Sequence, residues 1–158
     1  MSDVGGVLRF VHLLALGVWI GTIAFFSFVV APTVFAALGA SGGGPVVSAI
    51  FPTYYAVGLV CGGLGVVTAL LLARRARAAV RWRAAALVLA VGLGATAWAG
   101  LVVQPRAQAL RLATRDAGPE SAEAMTFRVL HRRAVLLNAL TLVAALGGLG
   151  VTAATLRA

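Results

Sequence analysis

From Phe10 to Ala73 the chain carries no charged residue, a run of 64 positions. The stretch "GASGGGP" at 39–45 interrupts it with the strongest turn signal in the sequence. This pattern predicts two helices, about 7–38 and 45–73. Their uncharged parts, 10–38 and 45–73, hold 29 residues each, about 44 Å at 1.5 Å per residue against a hydrocarbon core of about 30 Å. Both are therefore expected to project beyond the bilayer at the 39–45 end. Pro32 and Pro52 fall in that far portion and are expected helix kinks, since each removes a backbone donor in mid-helix.

The second half repeats the plan with charges added. Uncharged runs at 84–105 and 134–156 hold 22 and 23 residues, one span each. Between them "DAGPE" at 116–120 combines a glycine stop, a proline at a helix start and acidic residues suited to a helix N-terminus. The predicted helices are about 83–117 and 119–157, with Arg111 and Arg115 facing Glu120 and Glu123 across the tip. The fold class that follows is all-α: an integral membrane four-helix bundle of two antiparallel helical hairpins. It forms a single domain over 1–158, with helices extending beyond the membrane on one side.

Composition agrees with this class. The chain is 61% hydrophobic and 11% charged with a mean hydropathy of +1.02, whereas soluble domains are about 45–50% apolar and about 25% charged. A net charge of +9 raises the question of nucleic acid. All thirteen basic residues are arginines clustered beside apolar spans, without aromatic interleaving, so a nucleic-acid partner is excluded. The single Cys61 excludes an intrachain disulfide.

Arginine placement sets the expected orientation. Arg9, Arg74, Arg75, Arg77, Arg81, Arg83 and Arg157 fall on one face; Arg106, Arg111, Arg115, Arg128, Arg132 and Arg133 fall on the other. Five of the first group crowd into "RRARAAVRWR", tight against two span ends, where the positive-inside rule has most force. Both termini are expected to be cytoplasmic. The apolar stretch before "VFAALGA" is longer than the 7–15 residues of a signal-peptide core, so it reads as a span.

Polar residues inside such spans are the candidate chemistry. His12, Trp19 and Phe26 follow one another at steps of seven on one helical stripe. For His12 the two readings are a ring bonded to a neighbouring helix, and a ligand or proton-relay residue. Gly17 with Gly21, and Gly58 with Gly62, make two GxxxG steps that point to close helix packing. On the fourth helix Phe127, His131, Ala134 and Asn138 share a face. Polar groups are thus expected to aim into the bundle from the projecting side, as a pocket or as an interhelical clamp. No metal-spaced cluster, catalytic triad or phosphate loop stands in the sequence.

The segments "VHLLALGVWIGTIAFFSFVVAPTVF", "IFPTYYAVGL", "VVQPRAQAL" and "FRVLHRRAVLLN" together resemble the transmembrane protein 205 family, also called domain of unknown function 4149. The family-type positions are His12, Trp19, Gly21, Pro32, Phe35, Phe51, Pro52, Tyr54, Pro105, Arg106, Phe127, His131 and Asn138. Gln104 precedes Pro-Arg where the resemblance implies glutamate, and Ala134 stands where it implies serine. The resemblance implies a four-span membrane protein and supplies no reaction.

Three functions follow as expectations. The first is binding or permeation of a small solute or ion through a pocket on the non-cytoplasmic side, with Arg106, His131, Gln104, Tyr54 and Asn138 as contacts and His12 and Trp19 as further candidates. The second is a haem- or metal-binding redox protein. A single bis-histidine haem is disfavoured there, because His12 and His131 lie near opposite faces of a core about 30 Å thick. The third is a structural or assembly subunit. Whether the chain is an enzyme stays open, and no catalytic residue is assigned. The partners implied are the lipid bilayer, a small solute or ion and, as an alternative, a second copy of the chain.

Overall fold

The computed structural model describes residues 2–75, 78–113 and 121–157, and every regular element among them is helical. Helix α1 (Ser2–Phe25) runs through a π-helical segment, Phe26–Val30, into α2 (Ala31–Ala73). Helix α3 (Ala79–Trp98) runs through a second π segment, Ala99–Val103, into α4 (Gln104–Ala113), and α5 (Ala122–Leu156) follows. Three stretches, Val4–Ala73, Ala79–Arg111 and Ala122–Leu156, are long and apolar enough to cross a membrane. Helix is the natural state for them, since it satisfies every backbone N–H and C=O within the segment where lipid offers no partner.

The helix limits differ in places from those expected. Helix α1 already begins at Ser2 and α3 at Ala79. The seven-residue turn expected over 39–45 contracts to one residue, Gly39, whose φ of 64° and ψ of −176° interrupt α2. Only glycine adopts that backbone without strain. Helical geometry resumes at once and continues through Pro45 and Pro52. Helix α5 starts three residues later than Pro119, capped by the Ser121 hydroxyl, which accepts from Ala124 N–H at 3.1 Å. The tip at 116–120, with Arg115 and Glu120, lies outside the described residues.

Pro32 is accommodated differently. An α-helix would aim the Pro32 ring at the carbonyl of Phe28. The π segment just before it widens the turn, and Ala31 N–H reaches back five residues to Phe26 O. The second π segment does the same before Pro105, where Gln104 N–H bonds Ala99 O. Both segments end in the same four-residue pattern, Val29-Val30-Ala31-Pro32 and Val102-Val103-Gln104-Pro105. The chain carries one local device twice.

Packing pairs residues in a regular order. His12 meets Gly65 and Thr68, Trp19 meets Gly58 and Gly62, Phe26 meets Phe51 and Tyr54, and Phe35 meets Gly43. Position thus rises along α1 as it falls along α2. The α5 pairings with α1 run the same way, His12 with Thr152 and Ser27 with Asn138. Helix α3 packs against both α2 and α5. Gly58 and Gly62 make room for the Trp19 indole: a Cβ on Gly62 would lie 2.8 Å from Trp19 Cη2. The other GxxxG step is not used inside the chain, for Gly17 and Gly21 are exposed with no heavy atom within 4 Å of a built Cβ.

Candidate functional site

Two groups of polar side chains lie inside the helices, and their hydrogen bonding differs. The first surrounds His12, which is 0% exposed. Its Nδ1 lies 2.8 Å from Thr68 Oγ1 and 3.1 Å from Gly65 O, and its Nε2 lies 3.0 Å from Thr152 Oγ1. The Thr68 hydroxyl donates to Leu64 O at 2.6 Å, so Thr68 receives the bond from the ring. This identifies the Nδ1–H tautomer, with Thr152 donating to Nε2. Trp82 of α3 meets the imidazole edge-on, centroids 5.4 Å apart. Every polar atom of His12 is engaged, and residues from α1, α2, α3 and α5 meet there. The ring joins α1 to α2 and α5 through both of its nitrogens.

The second group lies about 21 Å from the His12 level, four helical turns along the chain at Phe26 and Ser27. The Tyr54 hydroxyl donates to Asn138 Oδ1, and Asn138 Nδ2 donates to Ser27 Oγ at 3.0 Å, joining α2, α5 and the first π segment. Phe26 packs on Tyr54 with centroids 4.8 Å apart. The neighbouring Tyr55 lies against Gly100 of the second π segment, where a Cβ would come within 2.7 Å of its ring. The two adjacent tyrosines therefore each brace one π segment, of the kind frequent at functional sites.

Beside this network is a small cavity lined by Trp19, Thr22, Ile23, Tyr54, Tyr55, Gly58, Thr96, Ala99, Asn138 and Thr141. The space open to the centre of a water molecule is about 10 Å³, close to the roughly 10–15 Å³ that one ordered water requires. The Thr96 and Thr141 hydroxyls lie 3.3 Å apart and reach carbonyls of their own helices, Gly92 O at 3.0 Å and Leu137 O at 2.9 Å. Trp19 is 1% exposed. Its indole borders the cavity.

Between the two groups stand Leu16, Leu89 and Ala145, each 0% exposed. Leu89 packs into the face of α5 at Gly148 and, with Leu16, against Gly65 of α2. The polar groups are thus separated by a sealed apolar layer.

Of the residues singled out from sequence, Tyr54, Asn138 and Trp19 come together at the cavity. His12 belongs to the separate clamp. Gln104 is half-buried, Arg106 and His131 are exposed, and none of the three lines the cavity. The His131 ring stacks on Phe127, centroids 6.1 Å apart, one turn back on its own helix. Thr22, Ser27, Thr96 and Thr141 escaped the sequence reading. Their signal was present, as lone hydroxyls inside apolar runs, but such residues ordinarily bond their own helix and so look merely structural.

A family model described as "Domain of unknown function (DUF4149)" matches residues 14–116, about two-thirds of the chain. The matched range holds Trp19, Tyr54, Gln104, Arg106 and both π segments, and stops short of His12, His131 and Asn138. No curated protein and no solved structure matches the chain.

Proposed function

The chain belongs to the DUF4149 family, and we propose that it is a four-span membrane bundle holding a small uncharged hydrogen-bonding solute at the Trp19–Tyr54–Asn138 site. The wider likeness to transmembrane protein 205 is part of this reading. Two antiparallel hairpins follow from the break at Gly39 and the opposed order of the α1–α2 pairings. A straight 70-residue helix would be about 105 Å long, more than three hydrocarbon cores. On this reading α4 and the start of α5 project beyond the bilayer on the side where the cavity lies, which is the non-cytoplasmic side by the arginine count.

One observation carries the binding reading: a space of about 10 Å³ bordered by the Trp19 indole and by the hydroxyl and amide groups of Tyr54, Thr96, Thr141 and Asn138. Polar side chains gathered round one small space inside apolar helices suit a ligand that hydrogen-bonds, and the lining sets its chemistry. No Asp, Glu, His, Lys or Arg lines the cavity, so nothing there balances a full charge, and the occupant is neutral. Its size is that of water in the closed form, and of a solute of a few heavy atoms once Tyr54 and Asn138 part. The apolar layer of Leu16, Leu89 and Ala145 favours a site open from one side over a path through the membrane.

The test labels tryptophan with nitrogen-15 in nanodiscs and follows the Trp19 indole N–H while methanol, formamide and glycerol are titrated in. At least one neutral probe should shift that resonance, and Gly58→Ala should abolish the response, since its Cβ would lie 3.3 Å from Trp19 Nε1. A resonance that ignores all three probes, or responds equally in Gly58→Ala, would remove the binding site.

A further inference from the structure

At the His12 end of the molecule six arginines form a thin exposed layer. The contacts of His12 with Thr68, Thr152 and Trp82 fix one common level on α1, α2, α5 and α3. Counting 1.5 Å per residue outward from it, Arg9 lies about 4.5 Å away, Arg157 about 7.5 Å and Arg74 about 9 Å. Arg75 follows Arg74, and Arg81 and Arg83 flank Trp82. All six side chains are exposed. A layer about 10 Å deep compares with the roughly 5–8 Å of headgroup region on each side of a bilayer. At the end of membrane-length helices, such a collar matches the headgroup layer in thickness.

Among the described residues no ion pair answers its charge. The sequence holds four acidic residues against thirteen arginines, and one of the four, Glu123, stands in the first turn of α5 at the opposite end. No acidic residue stands in the first turn of α3, where Arg81 and Arg83 lie. The ends of α2 and α5 favour the positive charge of Arg74 and Arg157, whereas Arg81 and Arg83 add to a helix end that is already positive. Arg81 spends one N–H on Ala154 O at 3.3 Å, bridging α3 and α5 and leaving the rest of its fork outward. The chain contains no lysine. A planar guanidinium grips a phosphate through two parallel bonds, which a lysine cannot do.

We propose that this collar is a binding surface for the phosphate headgroups of anionic phospholipids, held chiefly by Arg74, Arg75, Arg81 and Arg83. It rests on the membrane-spanning reading and is independent of the cavity. Exposed apolar residues at the same end, Val4, Val7, Phe10 and Val80, give the acyl chains a surface beside the arginines. The opposite end is less suited, because Arg111 is engaged by Ser48 and Glu123 stands in the first turn of α5 there.

The experiment uses the full chain in a neutral detergent, with bound lipid counted by native mass spectrometry and melting followed in parallel. Phosphatidylglycerol should bind and raise the melting temperature; phosphatidylcholine at the same concentration should not. Arg81→Gln and Arg83→Gln should each weaken phosphatidylglycerol affinity about fivefold, the usual effect of one arginine near an anionic surface. Arg128→Gln with Arg132→Gln, at the far end, should leave it unchanged. Equal binding of phosphatidylcholine, or equal losses at the two ends, would overturn the proposal. So would equal stabilisation by inorganic phosphate, which would indicate a site for the free ion. Should a collar variant fail to fold, Arg74→Gln and Arg75→Gln provide the same comparison from the loop side.

Discussion

Replacing His12 by leucine removes the ring that joins α1 to α2 and α5. Two protons make that junction, one donated by Nδ1 and one received at Nε2 from Thr152, so two interhelical bonds disappear. Such bonds in membranes average about 0.6 kcal/mol and reach about 1.7 kcal/mol. The edge-on contact with Trp82 adds about 0.5–1.5 kcal/mol. Thr152 recovers part of the loss by donating to a carbonyl one turn back on α5. The expected destabilisation is about 2–3 kcal/mol. Reversible unfolding in mixed micelles, driven by added dodecyl sulfate, measures it. Thr152→Val and the double variant complete a cycle whose coupling should be about 0.6–1.7 kcal/mol. Strict additivity would refute the bond, and a His12→Leu variant as stable as the parent would refute the clamp.

Asn138→Leu removes two interhelical bonds and should cost about 1–3 kcal/mol in the same assay, with Tyr54→Phe costing about half as much; equal losses would mean that Ser27 contributes nothing. The two GxxxG steps should behave oppositely: Gly62→Ala drives a Cβ to within 2.8 Å of Trp19 and should cost about 1–3 kcal/mol. Gly17→Ala meets nothing and should be neutral or stabilising by up to about 1 kcal/mol, so a matching loss there would show that the step is packed after all. Topology is checked with single cysteines in a Cys61→Ala background and an impermeant thiol reagent on intact cells: Ala117→Cys should label and Ala79→Cys should not, and the reverse result would invert the orientation.

How much of this could be read from sequence depends on what each residue was there to do. Long uncharged runs betray membrane-length helices because lipid excludes charge over a fixed thickness. The glycines of "GASGGGP" were harder, since glycine serves two purposes that look alike. Gly39 turns the backbone. Gly43 stays helical and makes room for the ring of Phe35, whose Cδ1 would lie 2.9 Å from a Cβ there. Nothing in the string distinguishes the two. His131 illustrates another limit. It shares a helical face with Asn138, but a shared face does not bring a shared cover. Ser27 pairs with Asn138, so the stretch of α2 two turns further on stands opposite His131. That stretch is itself largely open, Phe35 being 40% and Leu38 51% exposed. The repeated Val-Val-x-Pro pattern was legible, but that it marks a π segment follows only once the carbonyl it must avoid is located.

The two interior polar groups make an internal comparison that composition cannot offer. Both lie among apolar side chains, and both are built from one ring nitrogen group with threonine hydroxyls near it. Around His12 each donor finds an acceptor within the protein, so the arrangement needs nothing from outside and gains nothing by opening. Around Trp19 the hydroxyls of Thr96 and Thr141 have their own helix carbonyls and Tyr54 and Asn138 have each other, while the indole borders a space of about 10 Å³. On the proposed reading the difference between a clamp and a binding site in this chain therefore comes down to that space: the ring packed and bonded on every side holds helices together, and the polar side chains that border a cavity are the ones a ligand can reach.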